Sequence, residues 1–306
     1  MKYSILYSIL TVMLTLWGSC TSKSVNSEAE RKRPVPALVS APLGEGFKDY
    51  WYQGKAELST YTVEQERYGE MRSAEQVNIF VTEDFSASKQ VKLDDPGKAG
   101  ADRVPVLKLN ALRRFHTGIY DYTLMQSVFT PVDGKPSLKA TYSVIDWCGQ
   151  VFSQFNRREN GYQARLFSYF ESEGDPDVRL EHAMLEDELW TRLRINPATL
   201  PTGKVTLIPS PFFFRFRHIP YQKYDADVTV NTTGKESDLL VTYSTVPRSL
   251  SIRYETAFPH RILGWEETDN GRVLSKGVLK SSIMTDYWSR HDNASENLRD
   301  SLKLVF

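Results

Sequence analysis

From about residue 47 onward, hydrophobic and polar positions alternate in short runs. In "YWYQGKAELSTYTV" Ala56, Leu58 and Thr60 alternate with Lys55, Glu57 and Ser59, and "QVNIFVTE" sets Val77, Ile79 and Val81 on one face. A period of two puts successive side chains on opposite faces, so these runs predict β-strands. The same pattern marks "DYTLMQSVFTPV", "LKATYSVIDWCGQVF", "GYQARLFSYF", "KVTLIPSPFFFRFRHI", "ADVTVNTT", "DLLVTYST", "RSLSIRYET", "RILGWEET" and "RVLSKGVLKSSIM". Asn270-Gly271 is a type I′ hairpin signal; Gly234-Lys235, Asp133-Gly134 and the stretch "REN-G" are further turns. Such spacing predicts a mainly β fold, a curved antiparallel sheet, half-barrel or barrel.

One segment has a different period. In "DPDVRLEHAMLEDELWTRLRI", Val178, Leu185, Leu189, Trp190 and Leu193 fall on a stripe near 3.6 residues, which predicts one covering helix over about 176–195. Asp175 would cap it, Pro176 would start it, and Asn196-Pro197 would end it. The helix is expected to cover a sheet face or plug a barrel mouth. A short C-terminal helix is expected around Ala294–Leu302, and "LDDPGKAGADR" reads as an exposed loop.

The first twenty residues follow neither pattern. Lys2 precedes an apolar stretch from Ile5 to Trp17, too short to span a bilayer, and Gly18 and Ser19 precede Cys20. This resembles a lipobox, although Trp17 stands where Leu is usual. The expectation is a lipoprotein signal peptide over 1–19 and lipidation of Cys20. Residues 20–45 then form a polar, Pro-punctuated tether reaching on the order of 25–30 Å, and 46–306 a single β-rich domain. No acidic run follows Cys20, which favours an outer-membrane lipoprotein facing the periplasm.

Composition narrows the partners. Lys plus Arg is 38 and Asp plus Glu is 38, so net charge is zero and nothing steers nucleic acid. The two cysteines are Cys20 and Cys148, so a lipidated Cys20 leaves no intramolecular disulfide. Trp147-Cys148-Gly149 resembles the start of a thioredoxin site, but the second cysteine is missing. Strand alternation puts Cys148 in phase with Tyr142 and Val144, so it is expected in the core.

Other candidate chemistry is sparse. His116, His182, His218, His260 and His291 form no metal-binding spacing; His182 and Glu186 lie four apart on the expected helix, where a side-chain pair explains them better than a metal. "ESEGDPD" places Glu171, Glu173, Asp175 and Asp177 in a faint calcium-loop pattern that helix capping explains better. Gly203-Lys204 lacks the rest of a P-loop, and "PFFFRFRHIPY" read as a strand segregates Phe212, Phe214 and Phe216 from Arg215 and Arg217. Two polar-aromatic groups remain: Tyr61, Glu64, Glu66, Arg67, Tyr68 and Glu70, and Trp265 with Glu266 and Glu267. Surface strands account for them, with a carbohydrate- or peptide-binding edge as the alternative.

"YWYQGKAELSTYTVEQERYGE", "VPVLKLNALRRFHTGIYDY", "WCGQVF", "LEDELWTRLRINPATLPTG" and "ILGWEET" together resemble a Bacteroidota lipoprotein family of unknown function, over roughly residues 47–306. Its members often carry the label "septum formation inhibitor Maf". True Maf proteins are cytoplasmic pyrophosphatases with an S-x-R-R-like motif, and no such motif follows the tether. The resemblance implies no reaction and no cofactor. A looser likeness, in architecture alone, is to half-barrel carriers of lipoproteins in the periplasm. The expected role is therefore a non-catalytic binding or assembly factor held at a membrane by lipid, with an envelope protein or apolar ligand as partner. A periplasmic carrier of lipid or another apolar ligand is the alternative, and an envelope hydrolase the third.

Overall fold

The computed structural model describes residues 43–305; the expected signal peptide, Cys20 and most of the tether lie outside them. The described chain is mainly β. After a short helix α1 (Phe47–Trp51), eight strands run as a meander: β1 (Ala56–Arg67), β2 (Glu70–Ser86), β3 (Arg103–Thr117), β4 (Tyr120–Pro131), β5 (Lys139–Asp146), β6 (Gly149–Arg158), β7 (Gly161–Phe167) and β8 (Asp177–Glu181). Then come β9 (Met184–Leu185), α2 (Glu188–Ile195), β10 (Gly203–Ile208) and α3 (Pro211–Arg217). A second meander, β11 (Tyr224–Thr233), β12 (Glu236–Tyr243), β13 (Arg248–Glu255), β14 (Ile262–Asp269) and β15 (Arg272–Thr285), precedes a terminal turn of helix α4 (Leu298–Ser301).

All fifteen strands form one sheet in the order β8-β7-β6-β5-β4-β3-β2-β1-β15-β14-β13-β12-β11-β10-β9. β15 returns to pair antiparallel with β1, which splices the two meanders, and only β9 and β10 pair in parallel. The two outer edges are therefore β8 and β9, and just His182-Ala183 separates them in the chain. Glu181 and Met184 are three residue steps apart, so their Cα atoms lie within about 11 Å. A fifteen-stranded sheet can meet that limit only by curling around until its edges face each other. It is barrel-like, with a seam between β8 and β9 in place of a hydrogen-bonded ladder.

Side chains and two helices fill most of the lumen. Every residue of α2 is buried, and Leu189, Trp190 and Leu193 share one cluster with Phe80 and Leu109 on one side and Val228, Val241 and Ile252 on the other. α3 covers the neighbouring space, with Phe213 and Phe214 against Tyr142, Phe155 and Tyr162. Outside the sheet, the C-terminal segment straps β1: Leu302 packs on Ala56, Leu58 and Val81, and its carbonyl accepts from Thr60 Oγ1 at 2.6 Å. The first six positions of β1 are consequently buried on both faces.

Three expectations are corrected. The helix expected over 176–195 begins only at Glu188, because residues 177–181 pair with β7 instead. Gly161 permits that pairing: a Cβ there would lie 2.1 Å from the Leu180 carbonyl oxygen. Asp175 accepts from the Ser168 amide at 2.9 Å within the β7–β8 loop, and His182 turns the chain at φ 53° before the helix. The stretch "PFFFRFR" is helix α3, started by Pro211 and stopped by His218 in the left-handed conformation. An unbroken aromatic run carries no period that separates strand from helix. Finally, Asp146 pairs with Gly149, so Trp147 and Cys148 form a two-residue hairpin, and Asp146 Oδ1 accepts from the Cys148 and Gly149 amides. Trp147 is 68% exposed and Cys148 is a free, exposed thiol.

The hairpin signals fare better. Asn270 and Gly271 both take positive φ, as a type I′ turn requires, and Gly234-Lys235 connects β11 to β12.

Candidate functional site

The lumen concentrates charge where a core is usually apolar. Glu186, Asp187 and Glu188 arrive together at the start of α2, all buried, and each meets a different environment. Glu186 forms a forked ion pair with Arg248, which reaches it from β13, and accepts from the Tyr243 hydroxyl. Arg248 Nε also donates to Glu267 at 2.8 Å. Glu188 binds Arg192 Nε at 2.5 Å, one helical turn on, and accepts from Tyr162 and the Ser137 amide. Arg192 in turn donates to the Gly134 and Lys135 carbonyls, pinning the β4–β5 loop.

Asp187 has no cation in contact. It accepts from Tyr142 at 2.8 Å, and burial, then the neighbouring Glu186 charge, push its carboxyl up to about 7. At the far end of α2, Arg194 grips Glu57 through two bonds of 2.6 Å and donates to the Pro259 carbonyl at 3.0 Å. Trp51 of α1 closes over that guanidinium at 5.0 Å. Burial and the Glu57 carboxylate raise the Tyr50 hydroxyl, which donates to Glu57, to about 12.

Between the first turn of α2, α3 and the strands lies a cavity of about 70 Å³, room for on the order of five waters. Aromatic and aliphatic side chains form one part of its lining: Trp190, Phe212, Phe213, Phe216, Trp265 and Leu109. Gln65, Gln76, Asn78, Gln126, Arg113 and Asp187 form another. Trp265 reaches this position because Gly277 faces it on β15, where a Cβ would lie 2.3 Å from the indole ring. Its Nε1 donates to Ser275 Oγ at 2.9 Å.

Arg113 is the unusual member. Its Nε donates to Gln76 Oε1 at 2.7 Å, and its Nη1 to Gln65 Oε1 and to Ser275 Oγ at 3.0 Å. All three acceptors are neutral. Burial pulls this guanidinium down to about 10, with Glu267 and Asp187 opposing the fall.

A second cleft, of about 220 Å³, lies between the β7–β8 loop and the end of α3. His218 Nδ1 meets Glu173 Oε1 at 2.7 Å, and Ser168 Oγ donates to the other oxygen of Glu173 at 2.6 Å. The hydroxyl thus bonds the carboxylate and not the imidazole.

The sequence-derived candidates scatter differently from expectation. His182 and Glu186 are not helical partners, since His182 lies in the connection between β8 and β9 and Glu186 is bound to Arg248. Among the described residues, no group of three or more His, Cys, Asp or Glu side chains is placed to hold a metal ion. Tyr61, Arg67 and Trp265 are buried, while Glu64, Tyr68 and Glu70 are exposed, so the polar-aromatic runs straddle the sheet instead of forming one edge.

The cavity's polar residues carry a signal in the sequence. Gln65 shares the phase of Tyr61 and Val63; Gln76 and Asn78 that of Ala74 and Phe80; Arg113 that of Leu109 and Phe115; Gln126 that of Leu124 and Val128. Polar residues at apolar phases on adjacent strands mark a polar patch inside the fold.

No family model matches the chain, and no curated protein matches it. Among solved structures, a "Beta-barrel-like Protein of Domain of Unknown Function DUF1849 from Brucella abortus" is similar at a TM-score of 0.49 and 10% sequence identity. The match covers 76% of this chain and 98% of that one.

Proposed function

We propose that this protein is a lipid-anchored component of a bacterial cell envelope that binds a ligand in its lumen and performs no catalysis. The observation that carries the reading is the cavity beside α2, where Asn78 keeps a buried donor without an acceptor next to the polar side chains of Arg113 and Gln126. Buried polar groups are ordinarily satisfied, so an unsatisfied donor beside a partly polar cavity is a binding feature. Native mass spectrometry of the full-length protein in mild detergent tests this. A small molecule released on unfolding supports the reading; a chain of bare mass that binds none of a small-molecule panel defeats it.

The anchor has its own test. Radiolabelled palmitate should enter the wild-type chain and not Cys20→Ala, and equal labelling of both would refute it. Carriage of a long acyl chain is less well supported, because the cavity is small and its lining is partly charged. The His218–Glu173 pair supplies the base and carboxylate of a hydrolase but has no nucleophile hydrogen-bonded to the imidazole, so binding is preferred to hydrolysis.

A further inference from the structure

We infer that the cavity beside α2 takes a small monocarboxylate with an apolar body. The carboxylate would sit on Arg113 Nη2 and the amides of Asn78 and Gln126, and the body against Trp190, Trp265 and Phe216. This assignment rests on the binding role proposed above.

The register supports the head-group position. Ala111 of β3 lies directly between Asn78 of β2 and Gln126 of β4, and Arg113 is the next residue on the same face. A small side chain between two amides leaves a recess, with the guanidinium one step along the strand. Asn78 is fully buried: its Oδ1 receives Gln76 Nε2 at 2.7 Å, and its Nδ2 has no acceptor. Gln126 is 7% exposed and lines the same cavity. Asn78 Nδ2 is thus a buried donor without an acceptor, with Arg113 and Gln126 beside it on the next two strands.

The charges define the ligand further. Arg248 is matched by Glu186 and Glu267, and Arg217 by Asp269, so Arg113 is the cation of the lining with only neutral acceptors. A carboxylate is the acceptor that suits a guanidinium best. Glu186, Glu267 and Asp187 share the lining and repel a second negative charge, which selects a monoanion over a phosphate dianion. The limited space selects a short acyl or single-ring body.

Calorimetric titration of the full-length protein with butanoate, hexanoate and benzoate, against butanol, hexanol, benzyl alcohol and phenyl phosphate, tests the assignment. At least one acid should bind about ten-fold more tightly than its alcohol, and benzoate more tightly than phenyl phosphate. Arg113→Gln should remove that preference. Gln126→Leu, which retains the ion pairs, should weaken acid binding about three-fold or more even if Arg113→Gln fails to fold. Alcohols binding as well as acids, or acid binding indifferent to both variants, would overturn the carboxylate and leave the binding cavity standing. Failure of every probe, with no ligand in the native mass spectrum, would overturn both.

Discussion

Asp187 shows how one buried side chain links the lumen to pH. Its carboxyl is raised from 3.8 to about 7 by burial and by Glu186, so between those values the folded chain holds a proton that the unfolded chain releases. Stability falls with pH wherever the native state binds more protons. The Asp187 contribution therefore favours the fold below about pH 4, weakens as pH rises, and levels off above about pH 7. Asp187→Asn keeps an acceptor for Tyr142 and removes the ionisation. It should flatten that part of the stability profile and stabilise the protein at pH 8 by about 1–4 kcal/mol. Chemical denaturation at intervals from pH 4 to 8 measures it, and parallel profiles for the two proteins would exclude Asp187 as the titrating group.

At the scale of the element, α2 is a helix held by its surroundings. Eight residues are too few for an isolated helix to persist in water. Its ends are fixed by charge: Glu188 and Arg192 hold the β4–β5 loop, and Arg194 reaches Glu57, 137 residues away in the chain. Both members of that last pair are buried, so removing one leaves the other uncompensated. Arg194→Met should cost about 3–5 kcal/mol, whereas adding Glu57→Leu to it should recover much of the loss. A double-mutant cycle by denaturant unfolding reads this directly. If the double variant is as unstable as the sum of the singles, the two charges do not depend on each other.

At the scale of the whole molecule, strands and hairpins were readable because alternation and turn residues are local properties. Asn270-Gly271 needs only its own two positive φ angles. Lumen charges were not readable, because burial of Glu186 depends on Arg248, which folding brings to it from 62 residues away. Charged residues are mostly exposed, so a sequence reading put these runs on the surface. The closing of the sheet was equally remote: no residue pattern says that β8 and β9 are its two edges. That closure now carries a consequence. β9 is two residues long and β8 is five, and no ladder joins them across the seam, whereas β2 and β3 pair along thirteen consecutive positions. Local opening is easiest where few cross-strand bonds must break. Backbone amides of Val178, Leu180 and Met184 should therefore exchange with solvent well before those of Val77, Ile79 and Leu109. Hydrogen exchange followed by mass spectrometry resolves the two regions. Protection at residues 177–185 equal to that of β2 and β3 would mean the seam is sealed. If the seam opens first, a ligand reaches the lumen there without dismantling the sheet, and bound ligand should slow that exchange.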